Sequence, residues 1–354
     1  MDEIFNCDCI EGMRELPADS VDAIVTDPPY GLNFMGKDWD HGVPGEQFWS
    51  EALRVAKPGA HLLSFGGTRT YHRLACAIED SGWEIRDCLG WLYGSGFPKS
   101  MDVSKAIDKS LGAEAAKKWQ GWGTALKPAW EPIIMARKPF KGTVAACVLE
   151  YGTGAINIEA CRVPHDEECR IMKPSQANIE HPSEKCMQAG RRVETLELKP
   201  EGRFPANIIH DGSEEVLSVF PDSKGQRGDV KGTEPSRTGG EGTNCYGRYD
   251  HVCASRKRGD SGSAARFFYC AKASKKDRGE GNNHPTVKPQ ALMQYLIKLV
   301  TPEGAVVLDP FLGSGSTAVA AMATGRHYLG YEILPEYFEI ARARLDAAKM
   351  EDTL

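Results

Sequence analysis

Short apolar segments alternate with amphipathic helical segments along most of this 354-residue chain. Because a strand followed by a helix returns to the same sheet in parallel, the alternation predicts an α/β fold with a mostly parallel sheet and helices on both faces. The seven predicted strands are residues 4–9, 23–26, 61–65, 84–92, 133–137, 305–308 and 328–331. The predicted helices are residues 46–55 and 70–80, one that begins at Pro289 and a last one after Pro335.

The alternation stops in the middle of the chain, where glycine and basic residues accumulate. Nine glycines lie between residues 223 and 265. Residues 221–278 hold 13 Lys and Arg against 7 Asp and Glu, a net charge of +6, whereas the whole chain carries −6. Such a segment is typical either of a loop that contacts phosphates or of a solvated insertion without a partner. Composition alone does not separate these two interpretations.

Several classes of protein are disfavoured by composition. Apolar runs such as residues 318–323 are far shorter than the roughly 20 residues that span a bilayer, and the acidic start is unlike a signal peptide. The eleven cysteines lack paired CxxC spacing, so we expect neither a disulfide framework nor a zinc site. We therefore expect a cytoplasmic protein with no membrane role and no metal.

The first candidate site is a strand, a glycine turn and a helix at residues 306–323. Gly313 and Gly315 let the backbone approach a ligand closely. Glu332 follows Asp309 by 23 residues, near the roughly 20 at which an acidic residue meets ribose hydroxyls in nucleotide-binding folds. The pattern predicts a nucleoside cofactor, with a purely structural strand-to-helix turn as the alternative. The third glycine of the dinucleotide fingerprint is missing, which disfavours NAD.

The second candidate site is Asp27-Pro28-Pro29-Tyr30, directly after the apolar residues 23–25. Two prolines fix the backbone and supply no N–H, so Asp27 and the Pro28 carbonyl become rigid acceptors at the carboxyl end of a strand. Tyr30 adds an aromatic face. An acceptor pair beside a stacking ring suits a planar amino group, such as the exocyclic amine of a base. A simple Pro-Pro turn is the alternative interpretation.

Taken together, Asp27-Pro28-Pro29-Tyr30 and Phe311-Leu312-Gly313-Ser314-Gly315 resemble the catalytic and cofactor motifs of the amino-group DNA methyltransferases. The catalytic motif comes first, an order that resembles the bacterial and phage enzymes of the β class of that family. Further matching segments are residues 6–9, 126–132 and 284–289. The resemblance implies a Rossmann-like, S-adenosylmethionine-dependent methyltransferase fold with a mostly parallel seven-stranded sheet and an inserted target-recognition region.

Three parts of the chain follow from this resemblance. Residues 1–140 are expected to form the catalytic half, 141–265 the target-recognition region with its basic glycine-rich loop, and 266–354 the cofactor-binding half. The implied partner is double-stranded DNA, and a homodimer and a cognate restriction endonuclease are left open. The candidate phosphate contacts are Arg256, Lys257, Arg258, Lys272, Lys275 and Lys276.

The resemblance also implies S-adenosylmethionine as the cofactor. The residues implied to bind it are Asp8, Thr286, Lys288, Asp309, Phe311, Gly313, Ser314, Gly315, Thr317 and Glu332. In this arrangement Asp8, at the end of the first strand, borders the adenine, and Glu332 takes the ribose hydroxyls. Thr286 and Lys288 lie near the methionine portion.

The catalytic motif implies direct transfer of the sulfonium methyl group to the exocyclic amine of a base flipped out of the duplex. Hydrogen bonds from the amine to Asp27 and to the Pro28 carbonyl favour the pyramidal nitrogen that attacks, and Tyr30 stacks on the base. Pro29 completes the rigid turn. In this family, Asp before the prolines is commoner among adenine enzymes and Ser among cytosine enzymes. Asp27 thus favours adenine N6 over cytosine N4.

Other functions remain open at this point. A related Pro-Pro-Tyr turn would hold an amine of RNA or the amide of a protein glutamine, although enzymes of the latter kind normally carry the cofactor motif first. A nucleotide-responsive DNA-binding module without catalysis belongs to a different class. Such a module would need neither Asp27 nor Tyr30.

Overall fold

A computed structural model describes residues 2–32, 42–98, 100–164, 170–173, 195–198, 202–223, 243–244, 247–248, 262–272, 274–279 and 281–351. The chain forms two compact units. The first unit comprises Met1–Cys161, Ala206–Leu217 and Tyr269–Leu354. The second unit comprises Arg162–Pro205 and Ser218–Phe268.

The strands and helices have the following bounds. The strands are β1 Asp2–Phe5, β2 Val21–Thr26, β3 Ala56–Phe65, β4 Glu84–Leu92, β5 Trp130–Arg137, β6 Arg170–Lys173, β7 Thr195–Leu198, β8 Ile208–His210, β9 Asp222–Ser223, β10 Thr243–Asn244, β11 Gly247–Arg248, β12 Gly262–Ser263, β13 Tyr269–Cys270, β14 Val306–Asp309 and β15 His327–Tyr331. The α-helices are α1 Cys9–Arg14, α2 Glu46–Val55, α3 Tyr71–Asp80, α4 Val103–Leu111, α5 Ala113–Ala116, α6 Val144–Tyr151, α7 Glu214–Leu217, α8 Gln290–Val300, α9 Ser316–Met322 and α10 Pro335–Glu351. Short 3₁₀ helices occur at Lys117–Trp119, Glu159–Cys161, Ala264–Phe267 and Lys275–Arg278.

The first unit is built on one sheet with the strand order β1-β15-β14-β2-β3-β5-β4-β8-β13. Only β5 runs antiparallel to its neighbours, β3 and β4, so the predicted α/β class and mostly parallel sheet are confirmed. The sheet has nine strands rather than the predicted seven. All seven predicted strands are present, and the additional ones are β8 and β13, which have three and two residues. Strands this short carry too few residues for a recognisable alternation.

Apolar side chains cover both faces of this sheet, because successive residues of a strand point to opposite sides. Val25 and Leu63 pack in a buried cluster with Leu292 of α8. The neighbouring residue Ile24 packs on the opposite face with Trp49 of α2. The near-continuous apolar runs in the sequence are thus explained by burial on both faces.

The predicted first strand, residues 4–9, was wrong beyond Phe5. Asp8 is the N-cap of α1, and its Oδ1 accepts hydrogen bonds from the backbone N–H of Ile10 at 2.8 Å and of Glu11 at 3.2 Å. An aspartate in this position favours the start of a helix over a continued strand. Asp8 therefore lies at the start of a helix and not at the end of a strand.

The first unit extends into the region predicted as 141–265. In α6, the Cys147 Sγ donates a hydrogen bond of 3.4 Å to the backbone oxygen of Pro58, in β3. Residues 208–210 form β8, which pairs with β4 in parallel. Both segments belong to the compact first unit because they complete its sheet and the packing around it.

The second unit contains short two-stranded antiparallel sheets, β6 with β7, β10 with β11 and β9 with β12. Phe220 and Phe268 pack together with ring centroids 5.4 Å apart. Within the described part of the chain, no helix has both the length and the apolar character needed to span a bilayer.

Candidate active site

A cavity of about 370 Å³ lies at the carboxyl ends of β1, β15, β14 and β2. This volume falls within the roughly 300–1,000 Å³ of small-molecule sites, which open α/β sheets form at this edge. The predicted site residues that line it are Asp8, Asp27, Pro28, Pro29, Tyr30, Thr286, Lys288, Asp309, Phe311, Gly313, Ser314, Thr317 and Glu332. The structure thus brings both sequence motifs to one cavity, while the binding role of each residue stays a prediction.

Asp309 fixes the start of the glycine turn. Its Oδ1 accepts hydrogen bonds from Thr26 Oγ1 at 2.6 Å and from the Phe311 N–H at 3.1 Å, and its Oδ2 accepts one from Thr317 Oγ1 at 2.6 Å. Burial raises the pKa of Asp309 to about 6, although these three donors favour the charged form. This carboxylate ties β2, the turn and α9 together.

The two glycines of the turn are required by both conformation and space. Gly313 has φ +55° and Gly315 has φ +79°, a region that residues with a Cβ rarely adopt. A Cβ on Gly313 would lie 3.0 Å from His284 Nε2, and a Cβ on Gly315 would lie 3.1 Å from Ala341 Cβ. Gly315 lies outside the cavity lining, and there it permits the close approach of α10.

Glu332 follows β15 and holds the glycine turn from the neighbouring strand. Its Oε2 accepts a hydrogen bond of 2.8 Å from the Gly313 N–H, and its Oε1 accepts one of 2.8 Å from the Leu334 N–H. Burial raises the pKa of Glu332 to about 7, and the charge of Asp309 adds to the rise. Each carboxylate oxygen keeps a further acceptor position for a ligand hydroxyl.

One wall of the cavity is aromatic. The Phe311 ring lies 5.6 Å from the Phe48 ring and 6.2 Å from the Trp49 ring, measured between centroids. Phe48 and Phe311 line the cavity with Asp8. The cavity therefore offers apolar surface for a planar ring together with buried carboxylates for polar groups.

The Asp27-Pro28-Pro29-Tyr30 turn, which lines this cavity, is held rigidly. The Tyr30 hydroxyl donates a 2.8 Å hydrogen bond to Asp27 Oδ1, and the Tyr30 carbonyl accepts one of 2.6 Å from Thr70 Oγ1. Gly67 lies against the ring, since a Cβ there would be 3.1 Å from Tyr30 Cδ2. Burial raises the pKa of Tyr30 well above its ordinary value, with the charges of Asp27 and Glu131 adding to it, so the phenol stays neutral.

Lys288 lines the cavity next to the Asp27-Pro28-Pro29-Tyr30 turn. Its ammonium is 2.8 Å from Asp27 Oδ2, 3.1 Å from Glu131 Oε2 and 3.2 Å from the Tyr30 hydroxyl. The sequence prediction placed this side chain at the methionine portion of a cofactor. The structure shows its ammonium paired with the carboxylates of Asp27 and Glu131, and a contact with the methionine portion stays a prediction.

The site residues that sequence analysis missed include Phe48 and His284 in the cavity lining and Glu131 beside it. Glu131 is the second residue of β5, and the antiparallel direction of β5 brings the start of this strand to the cavity edge of the sheet. His284 lines the cavity, and its ring meets the Tyr337 ring edge-on at 4.4 Å. Burial lowers the pKa of His284 to about 4, so it is neutral at physiological pH. Glu131 and His284 belong to matching segments quoted above, which is the signal that could have found them.

The predicted phosphate contacts are only partly covered by the structure. Arg256, Lys257 and Arg258 lie outside the described residues, as does the side chain of Lys275. Lys272 and Lys276 are exposed in the first unit. Lys272 follows the carboxyl end of β13, which is parallel to β8 and β4. Because β5 is antiparallel to both β4 and β3, these strands also run in the same direction as β3 and β2. Lys272 therefore lies at the same edge of the sheet as the cavity.

No group of His, Cys, Asp and Glu side chains suited to a metal ion occurs among the described residues.

Comparison with known proteins decides the family. A family model described as DNA methylase, of the N6/N4 type, matches residues 21–343. The chain belongs to the N6/N4 DNA methylase family. This confirms the resemblance drawn from the two motifs and identifies the methylase as an enzyme that acts on DNA.

Two curated relatives of this methylase differ in how much of it they match. The type II methyltransferase M.HindIII of Haemophilus influenzae is 24% identical over 395 residues, covering 99% of this chain and 96% of that protein. The DNA adenine methyltransferase YhdJ of Escherichia coli is 46% identical over 69 residues, covering 20% of this chain and 24% of that protein. Among solved structures, the PvuII cytosine-N4-specific DNA methyltransferase has a TM-score of 0.48 at 13% identity, covering 97% of this chain and 86% of that chain.

Proposed function

We propose that this DNA methylase transfers a methyl group from S-adenosylmethionine to the exocyclic N6 amine of an adenine flipped out of double-stranded DNA. One observation carries the proposal: the rigid acceptor Asp27 and the buried carboxylates Asp309 and Glu332 lie on neighbouring strands around one cavity. An amine acceptor site and a nucleoside site are therefore side by side, as direct transfer between two bound molecules requires.

The residues that line the cavity fit S-adenosylmethionine. Glu332 is 8% exposed and can accept hydrogen bonds from the two ribose hydroxyls. Phe48 and Phe311 offer apolar surface for the adenine ring, and Asp309 supplies negative charge near the cationic portion of the molecule. When bound, S-adenosylmethionine supplies a methyl group on a positively charged sulfur.

On the target side, Asp27 accepts the amine. Tyr30 and Lys288 each occupy one acceptor position on the Asp27 carboxylate, which has about four, so positions remain for the protons of an amine. The Asp27 side chain is 19% exposed and reaches the cavity lining. The Pro28 carbonyl is the second acceptor, and the Tyr30 ring, braced by Gly67, provides a platform on which the flipped base stacks.

Adenine is favoured over cytosine by two observations. Asp27 stands before the two prolines, where the adenine enzymes of the family more commonly carry Asp. The relative YhdJ, a DNA adenine methyltransferase, matches part of this chain at 46% identity. Digestion of methylated DNA to nucleosides, followed by mass spectrometry, should yield N6-methyladenine. N4-methylcytosine as the sole product would refute the choice of base and leave methyl transfer to DNA intact.

Duplex recognition is assigned to the basic residues. Lys272, Lys276 and the segment 256–258 are proposed to contact phosphates, and the second unit is proposed to read the target sequence. A cytoplasmic location, a homodimer and a cognate restriction endonuclease stay predictions.

The decisive experiment supplies methyl-labelled S-adenosylmethionine with duplex DNA, RNA or bacterial cell protein. We expect label in duplex DNA. Label confined to RNA or to protein would refute the proposed substrate. An Asp27→Asn variant in the same assay controls for methylation by contaminating enzymes, because it should transfer almost no label.

A further inference from the structure

Four side chains, two of them from the Asp27-Pro28-Pro29-Tyr30 motif, form a mostly buried cluster that we call the acceptor cluster: Asp27, Tyr30, Glu131 and Lys288. The neutral Tyr93 also hydrogen-bonds Glu131. The Lys288 ammonium contacts Asp27 Oδ2 at 2.8 Å and Glu131 Oε2 at 3.1 Å. The Tyr30 hydroxyl lies 2.8 Å from Asp27 Oδ1 and 3.2 Å from Glu131 Oε2. Side-chain exposure is 7% for Lys288, 18% for Glu131 and 19% for Asp27.

The acceptor cluster carries a net charge of −1. Two carboxylates and one ammonium leave one negative charge, and the Tyr30 phenol is neutral. Burial works against the charge of Lys288, but Asp27 and Glu131 together outweigh it and raise the pKa of the ammonium. Because the cluster is largely removed from water, one unit of charge here changes the electrostatic energy of a nearby charged group more than it would at the surface.

Glu131 differs from the other members in its position. Asp27, Tyr30 and Lys288 line the cavity, whereas Glu131 is absent from the lining. The Lys288 ammonium also lies 4.7 Å from the centroid of the Phe65 ring. Among the described contacts, its charged partners are the carboxylates of Asp27 and Glu131. Glu131 thus reaches Asp27 through Lys288 and through the Tyr30 hydroxyl.

The proposed reaction moves positive charge toward this cluster. The bond between carbon and sulfur breaks, its electron pair stays on sulfur, and the amine lone pair forms the new bond between nitrogen and carbon. The sulfonium becomes a neutral thioether, and the amine becomes positively charged until it releases one proton, to Asp27 or to water. A net negative charge at Asp27 stabilises that developing positive charge.

We propose that Glu131 is a positioning residue that shares the charge of Lys288, so that Lys288 orients Asp27 without neutralising it. With Glu131 replaced by a neutral residue, Asp27 and Lys288 form a closed pair of zero net charge. The orientation of Asp27 is then kept while the electrostatic stabilisation of the amine is lost. This inference rests on the proposed methyl transfer to an amine.

A double variant tests the charge argument. Glu131→Gln brings the cluster to zero charge, and Glu131→Gln with Lys288→Met returns it to −1. We expect kcat of Glu131→Gln to fall by about tenfold or more while KM for S-adenosylmethionine changes less than about threefold. The double variant should be at least about fivefold faster than Glu131→Gln. A double variant equal to or slower than the single variant would overturn the proposal, because a merely structural role predicts additive losses.

Two further variants keep the test decisive if the double variant does not fold. Glu131→Asp retains the charge and should keep kcat much closer to that of the unaltered enzyme than Glu131→Gln does; equal losses in the two would also overturn the proposal. Glu84→Gln is the matched control, because Glu84 lies in the neighbouring strand and pairs with Arg137 at 3.1 Å, away from the cavity. Thermal melting of each variant reports folding.

The unaltered enzyme separates this inference from the proposed function. Absence of methyl transfer to DNA by the unaltered protein would refute the proposed function. Methyl transfer by the unaltered protein, together with a double variant no faster than Glu131→Gln, would refute the role of Glu131 alone.

Discussion

Thr26 Oγ1 donates a 2.6 Å hydrogen bond to Asp309 Oδ1 across 283 positions of sequence. The contact is possible because β2 and β14 are neighbouring parallel strands, with Leu308 paired to Ile24. Asp27 directly follows Thr26, so the sheet itself fixes Asp27, the proposed acceptor for the target amine, relative to the glycine turn. In the proposed reaction, rigid elements thus position the methyl donor and the methyl acceptor, which lowers the entropic cost of bringing them together.

Asp27→Ala should lower methyl transfer by about a hundredfold or more, because the amine loses its charged acceptor. The affinity for S-adenosylmethionine should stay within a few-fold, since the proposed cofactor contacts are made by the glycine turn. Titration calorimetry and a turnover assay measure the two quantities. Asp108→Ala, an exposed position on α4, is the control and should change neither. Loss of cofactor binding in Asp27→Ala would contradict the assignment of separate roles.

Gly313→Ala should weaken S-adenosylmethionine binding by about tenfold or more. The added methyl would lie 3.0 Å from His284 Nε2, and φ +55° is strained for alanine. Gly325→Ala is a matched control, since Gly325 has φ +68° but nothing within 4 Å of the added Cβ. Equal losses of affinity in the two variants would show that backbone strain alone, and not the cavity, is responsible.

Binding of S-adenosylmethionine should strengthen as pH rises from about 6 to about 7.5. Burial raises the pKa of Glu332 to about 7, so this group is protonated below that value and charged above it. The charged form accepts both ribose hydroxyls, which predicts a slope approaching one logarithmic unit of affinity per pH unit below pH 7. Calorimetry over this range should show the slope, and Glu332→Gln should flatten it. A slope unchanged in Glu332→Gln would assign the titration to another group.

Replacement of Arg256, Lys257 and Arg258 by glutamine should weaken duplex binding and reduce its salt dependence by up to about three units of slope. Sequence preference should survive, because phosphate contacts carry no base information. Fluorescence anisotropy at several salt concentrations measures the slope. The control replaces three exposed basic residues of the first unit, Arg14, Lys141 and Arg342, and should leave the slope almost unchanged. An unaltered slope in the first variant would identify the basic segment as a solvated surface.

Sequence was most informative where local signals and burial agree. The strand 84–92 and the helix 46–55 were predicted with the bounds that the structure shows. Gathering of Asp27 and Asp309 at one cavity was also predictable, because parallel strands end at the same edge of a sheet.

The sequence could not predict the placement of Glu131 or the ion pairs of Lys288, because these depend on strand direction and on long-range contacts. Glu131 precedes the predicted strand 133–137, and a strand parallel to β2 would have placed it at the opposite edge of the sheet from Asp27. Lys288 was assigned to the cofactor through the family resemblance of its segment, whereas the carboxylates that contact it, Asp27 and Glu131, lie far away in sequence. Side-chain pairing of this kind is set by tertiary packing and leaves no local pattern.

The pairing of β2 with β14 has a consequence for synthesis on the ribosome. The Asp27-Pro28-Pro29-Tyr30 turn emerges from the exit tunnel long before the glycine turn, as does β2 before its partner β14. Likewise, β1 cannot pair until β15 has been synthesised. Contacts that close such long loops form slowly and late. A nascent or truncated polypeptide that stops before Val306 carries Asp27 and Tyr30 but lacks the proposed binding site for the methyl donor. We therefore expect such a fragment to be unable to modify a genome, so that activity appears only when translation has passed both strands.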